Sequence, residues 1–266
     1  CWALRFNTQA LAFGDTMSTY KVIGKPATRT DGPQKVSGKA VYTADIQLHG
    51  MLFGKVLRSP HPHARIIRIN TSKALALPGV SAVLTGADVD GHLQGRQVRD
   101  MPILAKDVVR FTGEKVAAVA AEDKNTAQEA LNLIDVDYEV LPSLFDPFEA
   151  LKESAPLLHP DMESYQGYIR PPQKPSNLFF QRSYGIGDPD KGMAGAELVF
   201  EGTYHTTRTH QGFLEPRASV VWAQPNGRVQ VWASNKAPHG LKQSLSAALN
   251  LKPEDIVVNP TFVGGD

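Results

Sequence analysis

One stretch limits the architecture open to this chain more than any other, residues 113 to 141. Val116-Ala117-Ala118-Val119-Ala120-Ala121 is a short, continuously apolar run, the pattern of a strand covered on both faces. Asn125 stands where a helix N-cap belongs, ahead of Ala127, Ala130, Leu131 and Ile134 at helical spacing. Val136, Tyr138 and Val140 then alternate with Asp137 and Glu139, which reads as a half-buried strand. Strand, helix and strand in so few residues require a helix packed across a sheet, so the fold class expected is α+β.

Other strands are expected on both sides of this unit. Met51 to Leu57 and Ala64 to Ile69 flank the loop Ser59-Pro60-His61-Pro62-His63, and Pro78-Gly79-Val80 turns into the apolar Ala82-Val83-Leu84. Residues 151 to 177 hold Pro156, Pro160, Pro171, Pro172 and Pro175 with few apolar anchors, the composition of a connector. Beyond it, Val199 to Thr207 is strand-like. Ala218 to Ala223 and Arg228 to Ala233 embrace Pro225-Asn226-Gly227, a hairpin signal. Leu241, Leu245, Ala248 and Leu249 form a helical stripe, followed by strand Ile256-Val257-Val258.

The chain length of 266 residues suits about two domains of ~100–200 residues each. The division expected is an upstream or disordered segment 1–16, a first domain with its lead-in at 17–150, a linker at 151–177, and a second domain at 178–266. Met17-Ser18-Thr19-Tyr20 reads like a natural start, and residues 1 to 16 lack the pattern of a secretory signal. The glycine turn Val263-Gly264-Gly265-Asp266 at the other end predicts a second domain that is truncated.

Composition removes several classes of function. A formal net charge of +1 with no basic cluster gives no nucleic-acid footprint. No stretch approaches the ~20 apolar residues of a membrane helix. The single cysteine, Cys1, excludes a disulfide framework, a cysteine-rich zinc site or an iron–sulfur cluster held by this chain alone, and its scarcity fits a reducing cytosol.

Few residues invite chemistry. His61 and His63 alternate between prolines, but a third metal ligand is missing nearby. His205 and His210 precede Glu215, an arrangement open to proton transfer or to a structural role. Gly185-Ile186-Gly187 lacks the third glycine of a dinucleotide fingerprint, and Pro189 and Asp190 spoil the helix start it needs. Phe262-Val263-Gly264-Gly265 differs, because it follows a strand after a helix. A glycine turn there presents backbone N–H groups to a phosphate or a pterin edge, or serves as a plain tight turn.

Taken together, several segments resemble the molybdopterin-binding large subunit of the xanthine dehydrogenase and aldehyde oxidoreductase family. They are Gly24-Lys25-Pro26 with Arg29-Thr30-Asp31-Gly32-Pro33-Gln34-Lys35-Val36-Ser37-Gly38-Lys39-Ala40-Val41-Tyr42-Thr43-Ala44-Asp45, Arg58 to Ile66, Gly113 to Ala121, Val136 to Pro142, Gln211 to Pro216, Val231 to Lys236, and Val263 to Asp266. The likeness runs in order through residues 20 to 266. It implies an α/β hammerhead domain followed by the first part of a molybdopterin-binding domain.

The resemblance implies a hydroxylase that oxidises an aldehyde or N-heterocycle with water-derived oxygen. The cofactor would be molybdenum–molybdopterin, with the cytosine dinucleotide among the forms open. Partner subunits or domains would carry [2Fe–2S] clusters and FAD, with a dimer of heterotrimers among the assemblies open, in the cytoplasm. Gly264 and Gly265 match the loop whose backbone approaches the cofactor. Lys236 falls where many members place a glutamine that donates to the metal's oxo ligand, and its charge and reach differ. Asp266 replaces a glycine of many members. Glu215 matches a family glutamate near the domain junction, with a structural role expected. No metal ligand is singled out, and no catalytic residue is expected within these residues, since the family's glutamate base lies further on. Two rivals stand beside this reading: a carbon monoxide dehydrogenase-like large subunit, unsupported by an active-site cysteine loop, and a non-catalytic module that docks redox subunits.

Overall fold

A computed structural model describes residues 20–89, 91–95, 97–168 and 175–265. The expected segment 1–16, part of the connector, and Asp266 lie outside the described residues. In chain order the first domain holds α1 (Gly32–Val36), β1 (Phe53–Arg58), β2 (Ala64–Asn70), α2 (Ser72–Leu75), β3 (Val80–Thr85), β4 (Leu93–Gln94), β5 (Met101–Pro102), β6 (Val108–Val109), β7 (Lys115–Ala121), α3 (Lys124–Asn132), β8 (Asp135–Val140) and α4 (Pro147–Ala150). After the connector come α5 (Pro189–Ala194), β9 (Ser219–Ala223), β10 (Val229–Ala233), α6 (Pro238–Leu249) and β11 (Ile256–Asn259).

The apolar run from Val116 lies in β7, and it is covered on both faces. Val116 packs with Ala64, Ile66, Ala105 and Val109. Its neighbour Ala117, with Val119, packs instead with Ala74, Ala130, Leu131 and Ile134. Successive side chains of a strand point to opposite faces, so the strand serves two cores at once. It is the middle strand of the antiparallel sheet β1-β7-β3. A second antiparallel sheet, β6-β2-β8, meets it through the cluster around Val116. The helix α3 crosses β1 and β7, as the spacing of Ala127, Ala130 and Leu131 requires.

The cap of α3 is a correction. Asp123, not Asn125, is the N-cap, its Oδ1 accepting the N–H groups of Asn125 at 2.8 Å and Thr126 at 3.0 Å. Both residues are good caps, but only Asp123 has extended backbone and stands two and three residues before the free amides. In β8 the alternation holds for Val136 and Tyr138, while Val140 at the edge is exposed.

The connector does not run free. The Asn177 side chain ties it back toward the first domain, its Oδ1 accepting from Leu158 N at 2.9 Å and its Nδ2 donating to Ala150 O and Pro156 O, each at 3.0 Å. Arg110 Nε donates to Leu158 O at 2.8 Å, and Met162 is buried.

In the second domain, β9 and β10 form the expected hairpin. Gln224 N donates to Arg228 O at 2.8 Å, and Gly227 takes φ +85°, the left-handed conformation that such a loop needs. The helix α6 starts with Pro238 at its first turn and ends on Asn250, also left-handed at φ 51°. It carries the chain to β11, which pairs parallel to β10. Two other expectations fail. Val199 to Thr207 forms no ladder and is exposed, because an alternating pattern prepares a face but needs a partner strand to become one. Pro189 starts α5 instead of spoiling it, with Asp188 Oδ1 accepting from Lys191 N at 3.0 Å; proline at the first helical position loses no hydrogen bond.

Candidate functional site

The parallel pair β10 and β11 ends on one side in two short connections, Ser234-Asn235-Lys236-Ala237 and Pro260 to Gly265. In open α/β arrangements the carboxyl ends of parallel strands are where ligands bind. Gly264 and Gly265, matched to the cofactor loop by resemblance, and Lys236 therefore stand at the same end. Lys236 is exposed, two residues before the first residue of α6. Asn235 Oδ1 accepts from Ala237 N at 2.6 Å and shapes this turn.

The amides of the glycine turn already hold an anion. Glu215 Oε2 accepts from Gly264 N at 2.5 Å and from Gly265 N at 3.3 Å. Its Oε1 accepts from Ser234 Oγ at 3.0 Å. Ser234 in turn extends the β9–β10 ladder, its N–H donating to Ala218 O at 3.1 Å. Both glycines are needed for close approach. A Cβ at position 264 would lie 3.1 Å from Glu215 Cβ, and one at position 265 would lie 2.1 Å from Phe213 Cβ. Two consecutive N–H groups aimed at one oxygen form a nest that suits any oxyanion.

The lead-in segment grips the same turn from its other side. Phe262 N donates to Val41 O at 3.3 Å, Thr43 and Thr261 share a hydroxyl–hydroxyl bond at 2.9 Å, and Thr43 is fully buried. Thr261 Oγ1 also lies 3.4 Å from Ala233 O. A cleft of about 790 Å3 opens between the two, lined by Arg29, Asp31, Lys35, Val41, Trp232 and Phe262 among others. Hydrogen bonds from Arg29 and then Lys35, each 2.8 Å from Asp31, hold that carboxyl below the usual carboxylate range.

The remaining candidates fall apart in space. His63 is buried with its Nδ1 2.6 Å from Pro142 O, while His61 packs edge-on against Tyr138 at 5.0 Å. They serve packing and turn closure, and among the described residues no group of three His, Cys, Asp or Glu side chains could hold a metal. His205 is exposed. His210 Nδ1 accepts from Gly212 N at 3.0 Å, and its ring lies 5.2 Å from that of Phe213. Phe213, Ser234, Thr43 and Thr261 belong to the site by contact alone. No periodicity marks them, although Thr43, Phe213 and Ser234 lie inside segments quoted for the family resemblance. Among the described residues no helix is long and apolar enough to cross a membrane.

Known proteins match both halves. The description "Aldehyde oxidase and xanthine dehydrogenase, a/b hammerhead domain" fits residues 37–142, and "Molybdopterin cofactor-binding domain" fits residues 170–266. A probable xanthine dehydrogenase subunit of Bacillus subtilis is 35% identical over 248 residues, covering 92% of this chain and 31% of that protein. The carbon monoxide dehydrogenase large chain of Afipia carboxidovorans is 37% identical over 255 residues, covering 91% and 31%. A crystal structure of a Cu,Mo-CO dehydrogenase superposes with a TM-score of 0.80 at 36% identity, covering 91% of this chain and 31% of that one. This chain thus spans about a third of the length of these relatives.

Proposed function

The chain belongs, by its two domains, to the aldehyde oxidase and xanthine dehydrogenase family, and from that premise we propose that it is part of the large subunit of a molybdenum hydroxylase. The observation that carries this reading is the common end of β10 and β11, which the connections holding Lys236 and the glycine turn both leave. The substrate class is an aldehyde or N-heterocycle. Partners bearing [2Fe–2S] clusters and FAD take the electrons, in the cytoplasm, and the cofactor is molybdenum–molybdopterin.

This end offers an electron-rich group bare glycine backbone, with the ammonium of Lys236 on the neighbouring connection, while Glu215 holds the two glycine N–H groups. When bound, the molybdenum–molybdopterin group supplies the redox chemistry and the oxygen-transfer centre. This chain's residues supply position. Gly264 and Gly265 bring bare backbone to the ligand's edge while their N–H groups stay on Glu215. Lys236 carries a charged donor where a planar amide would offer a neutral one. The lead-in residues Val41 and Thr43 keep the turn from opening toward solvent.

The test is expression of the complete coding sequence with its neighbouring subunits, purified anaerobically, followed by molybdenum and pterin analysis and a panel of aldehydes and N-heterocycles with an artificial electron acceptor. Near-stoichiometric molybdenum and turnover of a panel member are expected. Folded protein free of both molybdenum and pterin would refute the reading. Carbon monoxide belongs on the panel as the second reading, favoured by the 37% identity to a carbon monoxide dehydrogenase large chain.

A further inference from the structure

Glu215 is a carboxylate placed between two strand ends that nothing in its own segment requires. We propose that it is the positioning residue of the cofactor turn, holding Gly264 and Gly265 against the end of β10 so that the turn and Lys236 face the ligand in one geometry. This rests on the reading of that end as the molybdopterin site.

Three bonds define the arrangement. Oε2 takes both glycine amides, at 2.5 and 3.3 Å, and Oε1 takes the Ser234 hydroxyl at 3.0 Å. Bonds to an ionised acceptor are roughly twice as strong as neutral ones. A glycine pair has more conformations to lose than any other dipeptide, so a turn built from it needs such an anchor to stay in one shape. The interleaving is tight on both sides of the carboxylate, since Phe213 fills the space a side chain at 265 would take. The carboxylate also saturates the nest. A phosphate or pterin oxygen reaches these two amides only by expelling Glu215, so the ligand meets the turn through its other atoms and through Lys236.

Substitutions separate position from simple filling of space. Glu215→Gln keeps an oxygen for the glycine amides, and its NH2 can donate to Ser234 Oγ, whose proton then turns to Pro216 O at 3.5 Å. Glu215→Asp draws the carboxylate back by one methylene, out of reach of both tethers together. Glu215→Leu fills the space with no acceptor. Ser234→Ala removes only the Oε1 tether.

The experiment uses the full-length enzyme with its partner subunits, each variant purified anaerobically. Molybdenum and pterin per folded chain, the electron paramagnetic resonance spectrum of dithionite-reduced molybdenum, and the melting temperature are measured. Glu215→Gln keeps the acceptor without the charge and is expected to load closer to wild type than Glu215→Asp or Glu215→Leu. Glu215→Asp and Glu215→Leu are expected to load about tenfold less, with a lower melting temperature and an altered spectrum in the fraction that loads. Ser234→Ala falls between, and decides the matter should Glu215→Leu fail to fold. A loaded wild type with equally loaded, spectrally unchanged Leu, Asp and Ser234→Ala variants overturns this proposal alone. A folded wild type without molybdenum or pterin overturns the functional reading, and this one with it.

Discussion

Two glycines of the cofactor domain, both replaced by alanine, are expected to move stability in opposite directions. At position 265 an added Cβ would sit 2.1 Å from Phe213 Cβ and 2.3 Å from its Cγ. Ordinary contact begins at 3.4 Å, so the two segments must separate by more than 1 Å. The nearest atom struck is Cβ of Phe213, which no rotation about its χ angles moves. Overpacking of this kind and a weakened Glu215–Gly265 bond together cost about 2–4 kcal/mol. At position 240 in α6 the added Cβ meets only Ala237 Cβ, at 3.8 Å. Alanine there gains about 0.5–1 kcal/mol from the helix propensity of an exposed site. Urea unfolding followed by tryptophan fluorescence reads this domain, since Trp222 and Trp232 lie in β9 and β10. With a slope of about 2 kcal/mol per molar urea, Gly265→Ala should lower the midpoint by about 1–2 M, and Gly240→Ala should raise it slightly. In a Phe213→Gly background the cost of Gly265→Ala should fall by about 1 kcal/mol or more, because the obstacle is gone. A Gly265→Ala protein within about 0.5 kcal/mol of wild type, or equal damage at both positions, would refute the packing argument.

Two further outcomes concern the hammerhead domain. Asp123→Ala should destabilise α3 by about 1 kcal/mol, read as faster hydrogen exchange over residues 124–132, while Asn125→Ala should change it by less than about 0.5 kcal/mol; the reverse ranking would return the cap to Asn125. Burial pushes the Glu114 carboxyl above its ordinary 4.5, opposed by the Arg110 N–H that it accepts at 2.5 Å. A folded-state value that is raised means stability is complete below the unfolded value and is lost as pH rises through the folded one. Glu114→Gln keeps an acceptor for Arg110 and cannot ionise. Its urea midpoint should therefore gain on wild type as pH climbs from 4 to 8, and a gap independent of pH, or one that closes, would contradict the assignment.

Much of the fold was legible from local pattern, for particular reasons. The run from Val116 to Ala121 is apolar on both faces because β7 is a central strand between two cores, and Asn226-Gly227 bends the β9–β10 hairpin through one left-handed glycine. These features depend on neighbours within a few residues. Where local rules conflict, pattern misleads. Pro189 reads as a helix breaker until Asp188 is seen capping the helix it begins. Val199 to Thr207 has the alternation of a strand and no partner among the described residues.

The candidate site divides the same way. The sequence by itself determined the family, the α+β class, and the glycines and lysine at the end of β10 and β11, because ordered motifs and turn residues are properties of the chain. Only the tertiary structure decided what those glycines do. Gly264 and Gly265 face a carboxylate 49 and 50 residues away, and Thr261 meets a hydroxyl 218 residues away. A hydrogen bond forms wherever folding brings donor and acceptor within about 3 Å, and sequence separation carries no record of that distance. Glycine permits the approach, but the identity of what approaches belongs to the fold.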